Sequence, residues 1–352
     1  MNQELKMETS GKINLKALSA DGIRNFVSDK GLPLFRSKQL IHWIYRKYVT
    51  NINEITEFSE SLRRELSESA YISNIDLIES QRSKDGTEKY LFRLEDGETI
   101  ESVLIPDKER LTLCISSQVG CAMGCRFCLT GKIGLRRNLK AYEIVDQVIS
   151  VSRFILPKKL TNVVLMGMGE PLANFDEVVD ALWRMTEFMG ISKRRITLST
   201  SGIVPALLDL PRKAPHVNIA ISLNATTDDV RNEIMPVNKV YPLRMLLDAC
   251  RSYPLEPRRR ITFEYILLDG VNDSQDDARR LVRLLKGIRC KVNLIPFNPY
   301  EGAEFGSPTE EKIKTFQKVL IDKGMTALIR KSKGQDIRAA CGQLRAGYIK
   351  NR

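Results

Sequence analysis

Residues 111–128 read LTLCISSQVGCAMGCRFC. The first six, 111–116, are mostly apolar and β-prone, so they predict a strand, and a loop carrying three cysteines follows at once. Cys121, Cys125 and Cys128 stand in the spacing C-x3-C-x2-C, close enough for three thiolates to reach one metal centre. A cubane iron–sulfur cluster held by three Cys leaves one iron open to an exogenous ligand. A structural zinc site needs four closed ligands. The fourth thiol in reach, Cys114, falls in the expected strand rather than in the loop, so a zinc or four-Cys site is the alternative reading.

Working outward, the strand-then-loop pattern recurs. Apolar, β-rich runs lie at 111–116, 162–166, 195–199, 217–223, 261–268 and 292–297, with a possible seventh at 326–330. Between them lie amphipathic segments such as AYEIVDQVISVSRFI (141–155) and DDARRLVRLLKGI (276–288). Strands alternating with helices predict an α/β fold of parallel β/α units with right-handed crossovers. Six strands fall short of the eight of a closed barrel, which predicts an open, partial (β/α)6 barrel. A doubly wound sheet is the structural alternative.

Upstream, residues 1–75 read as a small helical accessory domain, with Leu34, Lys38, Ile41, His42 and Tyr45 on one helical face. Residues 76–106 shift towards a two-residue period, with Asp85-Gly86 and Asp96-Gly97 as turns, and read as a β-meander linker. Residues 107–352 form the expected catalytic domain.

Composition excludes several classes. With 43% hydrophobic and 28% charged residues, the chain can build a core and is not a disordered chain. No run of about 18 apolar residues occurs, so no transmembrane helix is expected. The segment from Met1 to Leu15 is polar and shows no signal peptide. A cytoplasmic protein with no membrane partner is expected. His42 and His216 are the only histidines, too few for a multi-imidazole metal site. The seven cysteines of such a chain therefore read as ligands, nucleophiles or core residues.

The formal charge of +12 points to a polyanionic partner. Residues 1–100 carry 15 basic and 16 acidic side chains, so the excess belongs to the rest of the chain. Two basic runs stand out: Arg126, Lys132, Arg136, Arg137 and Lys140 with no acid among them, and eight cations against Asp336 in residues 323–352. Clustered cations neutralise phosphates and position RNA. The helix with Trp43, Tyr45 and Tyr48 reads either as a second RNA contact or as core packing.

The cysteine spacing resembles that of the radical S-adenosylmethionine (SAM) superfamily. The neighbouring segments are similar to its RlmN/Cfr family of RNA methyltransferases. They are LCISSQVGCAMGCRFC, Arg137–Leu139 (RNL), MGMGEP, LSTSG, MPVN, LDGVNDS, NLIPFNP and DIRAACGQL, together with FRSKQLIHWIY near the N-terminus. The resemblance implies a radical-SAM barrel, a [4Fe-4S] cluster on Cys121, Cys125 and Cys128, and two SAM molecules per turnover. It implies SAM contacts from Gly169, Glu170, Ser199, Ser222, Leu223, Asn224 and Asn298. It further implies that Cys341 becomes methylated and carries the methyl group, that Cys114 resolves the adduct by forming a disulfide, and that Glu101 accepts a proton. The reaction so implied is methylation at adenine C2 in the peptidyl-transferase region of 23S rRNA and in some tRNAs. An electron donor such as flavodoxin or ferredoxin would supply electrons, and the enzyme would act as a monomer. Methylation at adenine C8, as in Cfr, is the nearest rival; Pro171 in the GEP segment favours C2. A non-catalytic RNA-binding protein with a structural zinc is the rival from another class. Asn224 stands where the family usually has His, which removes a titratable group but keeps a donor and an acceptor.

Overall fold

Runs of β-branched and aromatic residues set the central sheet of the chain, whose computed structural model describes residues 11–344. Ten strands form it: β1 (Asp76–Arg82), β2 (Glu88–Arg93), β3 (Thr99–Asp107), β4 (Arg110–Cys114), β5 (Asn162–Leu165), β6 (Ile196–Thr200), β7 (Asn218–Ser222), β8 (Ile261–Leu267), β9 (Cys290–Pro296) and β10 (Ala327–Ile329). They lie side by side in chain order, from β10 at one edge to β1 at the other. From β4 to β10 every neighbouring pair is parallel. The six expected strands all form, and so does the seventh.

Two consequences follow from that order. The edge strands β1 and β10 do not pair with each other, so the barrel is open. The sequence of parallel strands never reverses, so there is no switch point of the kind a doubly wound sheet requires. Residues 76–106, expected as a linker, supply β1, β2 and most of β3. These strands pair antiparallel and add to the edge of the parallel set through β4.

The crossovers are helical: α4 (Ala141–Phe154), α5 (Phe175–Trp183), α6 (Val204–Lys213), α7 (Leu243–Ser252), α8 (Gln275–Leu284) and α9 (Glu310–Asp322), after α1 (Ala20–Asp29), α2 (Phe35–Tyr45) and α3 (Glu60–Ser69) in the N-terminal part. Their starts carry the expected signals. Ser274 accepts from the backbone N–H of Asp277, whose carboxylate returns a bond to Ser274, and Thr309 caps α9. Helix α4 is buried without interruption from Glu143 to Ser152, including Asp146, Gln147 and Ser150. An all-round buried helix needs partners for those polar groups, and their bonds tie the molecule together.

The N-terminal part is fastened to the barrel by such bonds. Lys16 Nζ lies 2.6 Å from Asp146 Oδ1 on α4 and 2.6 Å from the Ser73 carbonyl. Arg184 donates to the Lys16 carbonyl and to Tyr45 Oη, at 2.5 and 2.9 Å. The inward face of α2 is Ser37, Leu40, Ile44 and Tyr45, one step round from the expected face of Leu34, Lys38, Ile41, His42 and Tyr45. Leu34 is exposed. Trp43 and Tyr48 pack partly against the core, so of the two readings of this aromatic helix the structure supports packing.

No helix among the described residues is long and apolar enough to cross a membrane.

Candidate cluster and cofactor site

In a β/α barrel the loops after the strands gather at one end, and that is where chemistry collects. Here the loop after β4 is held from behind by α4 and α5. Gln147 accepts from Ser116 N at 2.8 Å and donates to the Ser116 carbonyl at 2.9 Å. Asn174 Nδ2 donates to the carbonyls of Ser117 and Leu139, at 2.9 and 2.8 Å. The loop returns along a two-strand ribbon of Gln118–Gly120 with Leu135–Asn138, which leaves the three cysteines facing inward.

One cavity collects them. Cys121, Cys125 and Cys128 line it with Met166, Gly167, Gly169 and Glu170 after β5, Ser199 to Ser201 at the end of β6, and Ser222 and Asn224 at the end of β7. Glu264, Arg330 and Cys341 complete the polar wall. Burial drives all three loop thiols towards the protonated form: Cys121 is pushed up to about 12, and neighbouring thiolate charge raises Cys125 further. Bound cations would reverse that balance and release protons.

The turn after β5 can only be built with glycine. Gly169 has φ +100°, and a Cβ there would meet Gln118 Cβ at 2.6 Å. Glu170 is buried, and its oxygens accept from Leu172 N at 2.9 Å and Ser201 N at 2.6 Å. Burial raises its pKa, against the lowering effect of those bonds.

Asn224 has φ +57°, a left-handed conformation that Asn tolerates better than most residues. Its Oδ1 accepts from Ile266 N at 2.9 Å and its Nδ2 contacts Met235 Sδ at 3.2 Å. It lines the cavity while joining the ends of β7 and β8.

Two expected SAM residues lie elsewhere. Leu223 is fully buried in the main core, and its carbonyl accepts from Arg231 Nε at 2.9 Å. Asn298 lines the adjoining cleft, where Gln335 donates to its Oδ1 at 2.9 Å.

That second cleft, of about 690 Å³, contains Cys114 and carries Arg110, Lys291, Lys331 and Lys333 against Asp107. Met166, Ile295, Arg330 and Cys341 line both spaces. Cys341 therefore stands in the wall between the cysteine cavity and a basic cleft that also holds Cys114. Burial pushes the Cys114 thiol up to about 12, and charge on Cys341 adds to the rise.

The loop bearing Cys341 is tied down at several points. Gly334 N donates to Asp85 at 3.0 Å, Ser83 Oγ to Asp336 at 2.5 Å, and Leu129 N to the Gly342 carbonyl at 2.8 Å. Residues 345–352, part of the expected basic run, lie outside the described residues.

Glu101 is not brought into either space. It lines a third cleft with Lys89, Asp336, Ile337 and Arg338, and its carboxylate lies 3.2 Å from Lys89 Nζ.

The 126–140 basic run is committed internally. Arg126 pairs with Glu233 and Glu304, Lys132 with Glu304, Arg136 with Glu98, Arg137 with Asp96 and Glu143, and Lys140 with Glu177. Arg136 and Lys140 are exposed in these pairs, and exposed ion pairs are weak enough to exchange for phosphates.

Two charged groups in the cavity wall went unremarked in the sequence, the buried Glu264 and the half-buried Arg330. Glu264 interrupts the apolar strand ITFEYIL, a signal in itself, because a carboxylate in a buried parallel strand needs a reason. Arg330 closes the possible seventh strand and sits in a basic run expected to face RNA, which hides its place beside the cavity.

Among the described residues no three His, Cys, Asp or Glu side chains converge on a point suited to one metal ion. Two buried polar atoms in the cavity, Ser201 Oγ and Glu264 Oε2, have no hydrogen-bond partner in the protein, as a wall built for a polar ligand would show.

Comparison with known proteins agrees with this geometry. The profile described as Radical SAM superfamily matches residues 115–282, and the profile described as Ribosomal RNA large subunit methyltransferase N-terminal domain matches residues 13–72. The dual-specificity RNA methyltransferase RlmN of Geobacter sulfurreducens is 53% identical over 335 residues, covering 95% of this chain and 92% of that protein. The RlmN of Syntrophotalea carbinolica is 52% identical over 345 residues, covering 97% and 92%. The chain belongs to the RlmN family. A crystal structure of a radical SAM methyltransferase from Sphaerobacter thermophilus superposes with a TM-score of 0.91 at 43% identity, covering 95% of this chain and all of that one. Membership of the radical SAM superfamily implies a [4Fe-4S] cluster and SAM, and the thiols and unpartnered polar atoms of the cavity fit both.

Proposed function

We propose that this RlmN-family chain methylates C2 of adenine in 23S rRNA and in some tRNAs by way of a methylated Cys341. The observation that carries the reading is the place of Cys341, in a wall shared by the three-cysteine cavity and the basic cleft of Cys114. In this reading Cys121, Cys125 and Cys128 hold three irons of the cluster. Gly169, Glu170, Ser199, Ser222 and Asn224 hold SAM, with Leu223 and Asn298 supporting from their neighbouring positions. When bound, the cluster and SAM supply one-electron chemistry able to abstract hydrogen from a methyl group.

The chain's own residues do the rest. Cys341, as a thiolate, takes a methyl group by displacement and holds it at the wall between the two spaces. Arg330 and Glu264 fix the polar side of that wall. An adenine extruded from its stack enters from the basic cleft, where Lys291, Lys331 and Lys333 meet its phosphates. Once the carbon is bonded to the ring, Cys114 attacks the sulfur at position 341. The sulfur–carbon bond breaks, its electron pair stays with the ring-bound carbon, and that carbon takes a proton to become the methyl group of the departing base; an external reductant restores both thiols from the disulfide that remains. Glu101 is the proposed acceptor of the ring proton. It serves that role only for an adenine reaching its own cleft, since Lys89 pairs with it there. We place the enzyme in the cytoplasm, acting as a monomer, with electrons from a flavodoxin- or ferredoxin-type donor.

Cys114→Ala tests the reading. Purified from cells, this variant should carry RNA covalently bound through Cys341, visible on denaturing gels and lost on nuclease treatment. Normal turnover with no adduct would remove Cys114 from the mechanism.

A further inference from the structure

The N-terminal ends of β8, β9 and β10 lie at the end of the barrel opposite the reaction cavity. There three connections meet around a cleft of about 860 Å³. Arg258, Arg259 and Arg260 come from the turn before β8, Arg283, Lys286 and Arg289 from the end of α8 and the turn after it, and Lys323 from the end of α9. No aspartate or glutamate lines it. Val282, Leu285, Ile288 and Met325 form its apolar floor.

Seven cations around one cleft repel one another, and this arrangement contrasts with the 126–140 run, where each cation has a carboxylate. Among the described residues only Arg259 of the seven has an acidic partner, Glu256 at 3.3 Å. Arg260 donates to Thr326 Oγ1 at 3.2 Å and Arg289 to the Leu255 carbonyl at 3.1 Å. These neutral acceptors orient the guanidinium groups without cancelling their charge. Arg258, Arg283, Lys286 and Lys323 have no carboxylate partner among the described residues. The C-terminal ends of α8 and α9 favour nearby cations through their carbonyl dipoles, which helps the fold tolerate the cluster. The field remains turned outward, where a polyanion would displace counterions.

We infer that this cleft is a second RNA-binding surface, gripping the phosphate backbone of the RNA remote from the base being modified. The inference rests on the RNA-methyltransferase reading, which makes RNA the polyanion at hand. The cations are spread over three connections, too widely for one phosphate and suitably for a run of them. An acidic electron-transfer protein fits less well. A strand of seven residues spans about 20 Å, so this end lies at least that far from the cysteines that need the electrons.

The test is the salt dependence of binding to a folded 23S rRNA fragment, compared between the full-length protein and its Arg283→Glu/Lys286→Glu/Lys323→Glu variant. Each lost phosphate contact lowers the slope of log affinity against log salt by about 0.7–0.9. The variant should therefore lose about two units of slope and at least tenfold in affinity at about 0.1 M salt. Its thermal midpoint and dithionite-driven SAM cleavage should not change. An unchanged slope and affinity would overturn the inference. So would unchanged RNA binding with activity lost only when a protein donor replaces dithionite, because the cleft would then serve the reductant. Binding is read without turnover: wild-type protein that binds RNA through this cleft but methylates no adenine would sink the methyltransferase reading and leave the cleft standing.

Discussion

Arg330 and Cys341 stand together in the wall shared by the cysteine cavity and the basic cleft, and the nearness of that sulfur is the main cause of the rise in the arginine's pKa. The backbone fixes the arrangement, since Arg330 N donates to the Leu294 carbonyl at 2.8 Å at the end of β10. A thiolate that must attack a methyl group gains from a permanent cation beside it. A guanidinium that donates to a thiolate once the thiolate forms contributes about 1.5–3 kcal/mol, or roughly 10- to 100-fold in rate. Arg330→Met should slow single-turnover methylation of Cys341 by that factor, followed by intact-protein mass, and Arg330→Lys should recover part of it. An unchanged rate in the methionine variant would show that the arginine only fills space.

Gly169→Ala should damage the SAM wall. The added methyl would stand 2.6 Å from Gln118 Cβ on backbone that already has positive φ, and overpacking of this kind costs about 1–3 kcal/mol. Equilibrium dialysis with SAM and a urea melt should both show the loss, whereas wild-type affinity would contradict the tight turn.

Lys16→Met should unfasten the N-terminal part. It would leave Asp146, buried on α4, without the ammonium 2.6 Å away. Breaking a buried pair by removing one partner costs about 3–5 kcal/mol. Denaturant unfolding should report a loss of that size; a change under 1 kcal/mol would mean that Asp146 is protonated in the folded protein.

The tether of the Cys341 loop should be sensitive to strong acid only. Burial alone would raise the Asp85 pKa, but bonds from Thr87, Gly334 and Ser83 bring it from 3.8 to about 2. Because the folded value is depressed, this contribution is complete above the unfolded value and is lost as pH falls from about 4 through about 2. The Gly334 amide shift, followed by NMR, should titrate with a midpoint near 2 (the bond to Asp85 breaking) and not near 3.8.

Much of this architecture is legible in the sequence because a buried parallel strand must be apolar along its length. The runs ending at Ser199 and Leu223 therefore mark strand ends, and with them the rim of the cavity. What the sequence hides is pairing between distant residues. Arg126 looks like free charge until Glu304, 178 positions away, is seen against it. The separation of Glu101 from the cysteine cavity depends on where β3 pairs and on how residues 336–343 pack. Arg330 acquires meaning only when β10 brings it beside Cys341.

The most direct test of the central claim is the nucleoside content of RNA from cells expressing this chain in a background lacking its own adenine-C2 methylation. Mass spectrometry of digested 23S rRNA and tRNA should show 2-methyladenosine with the wild-type chain and none with Cys341→Ala. Finding 8-methyladenosine, no methylated adenine, or 2-methyladenosine that survives the loss of Cys341 would contradict it.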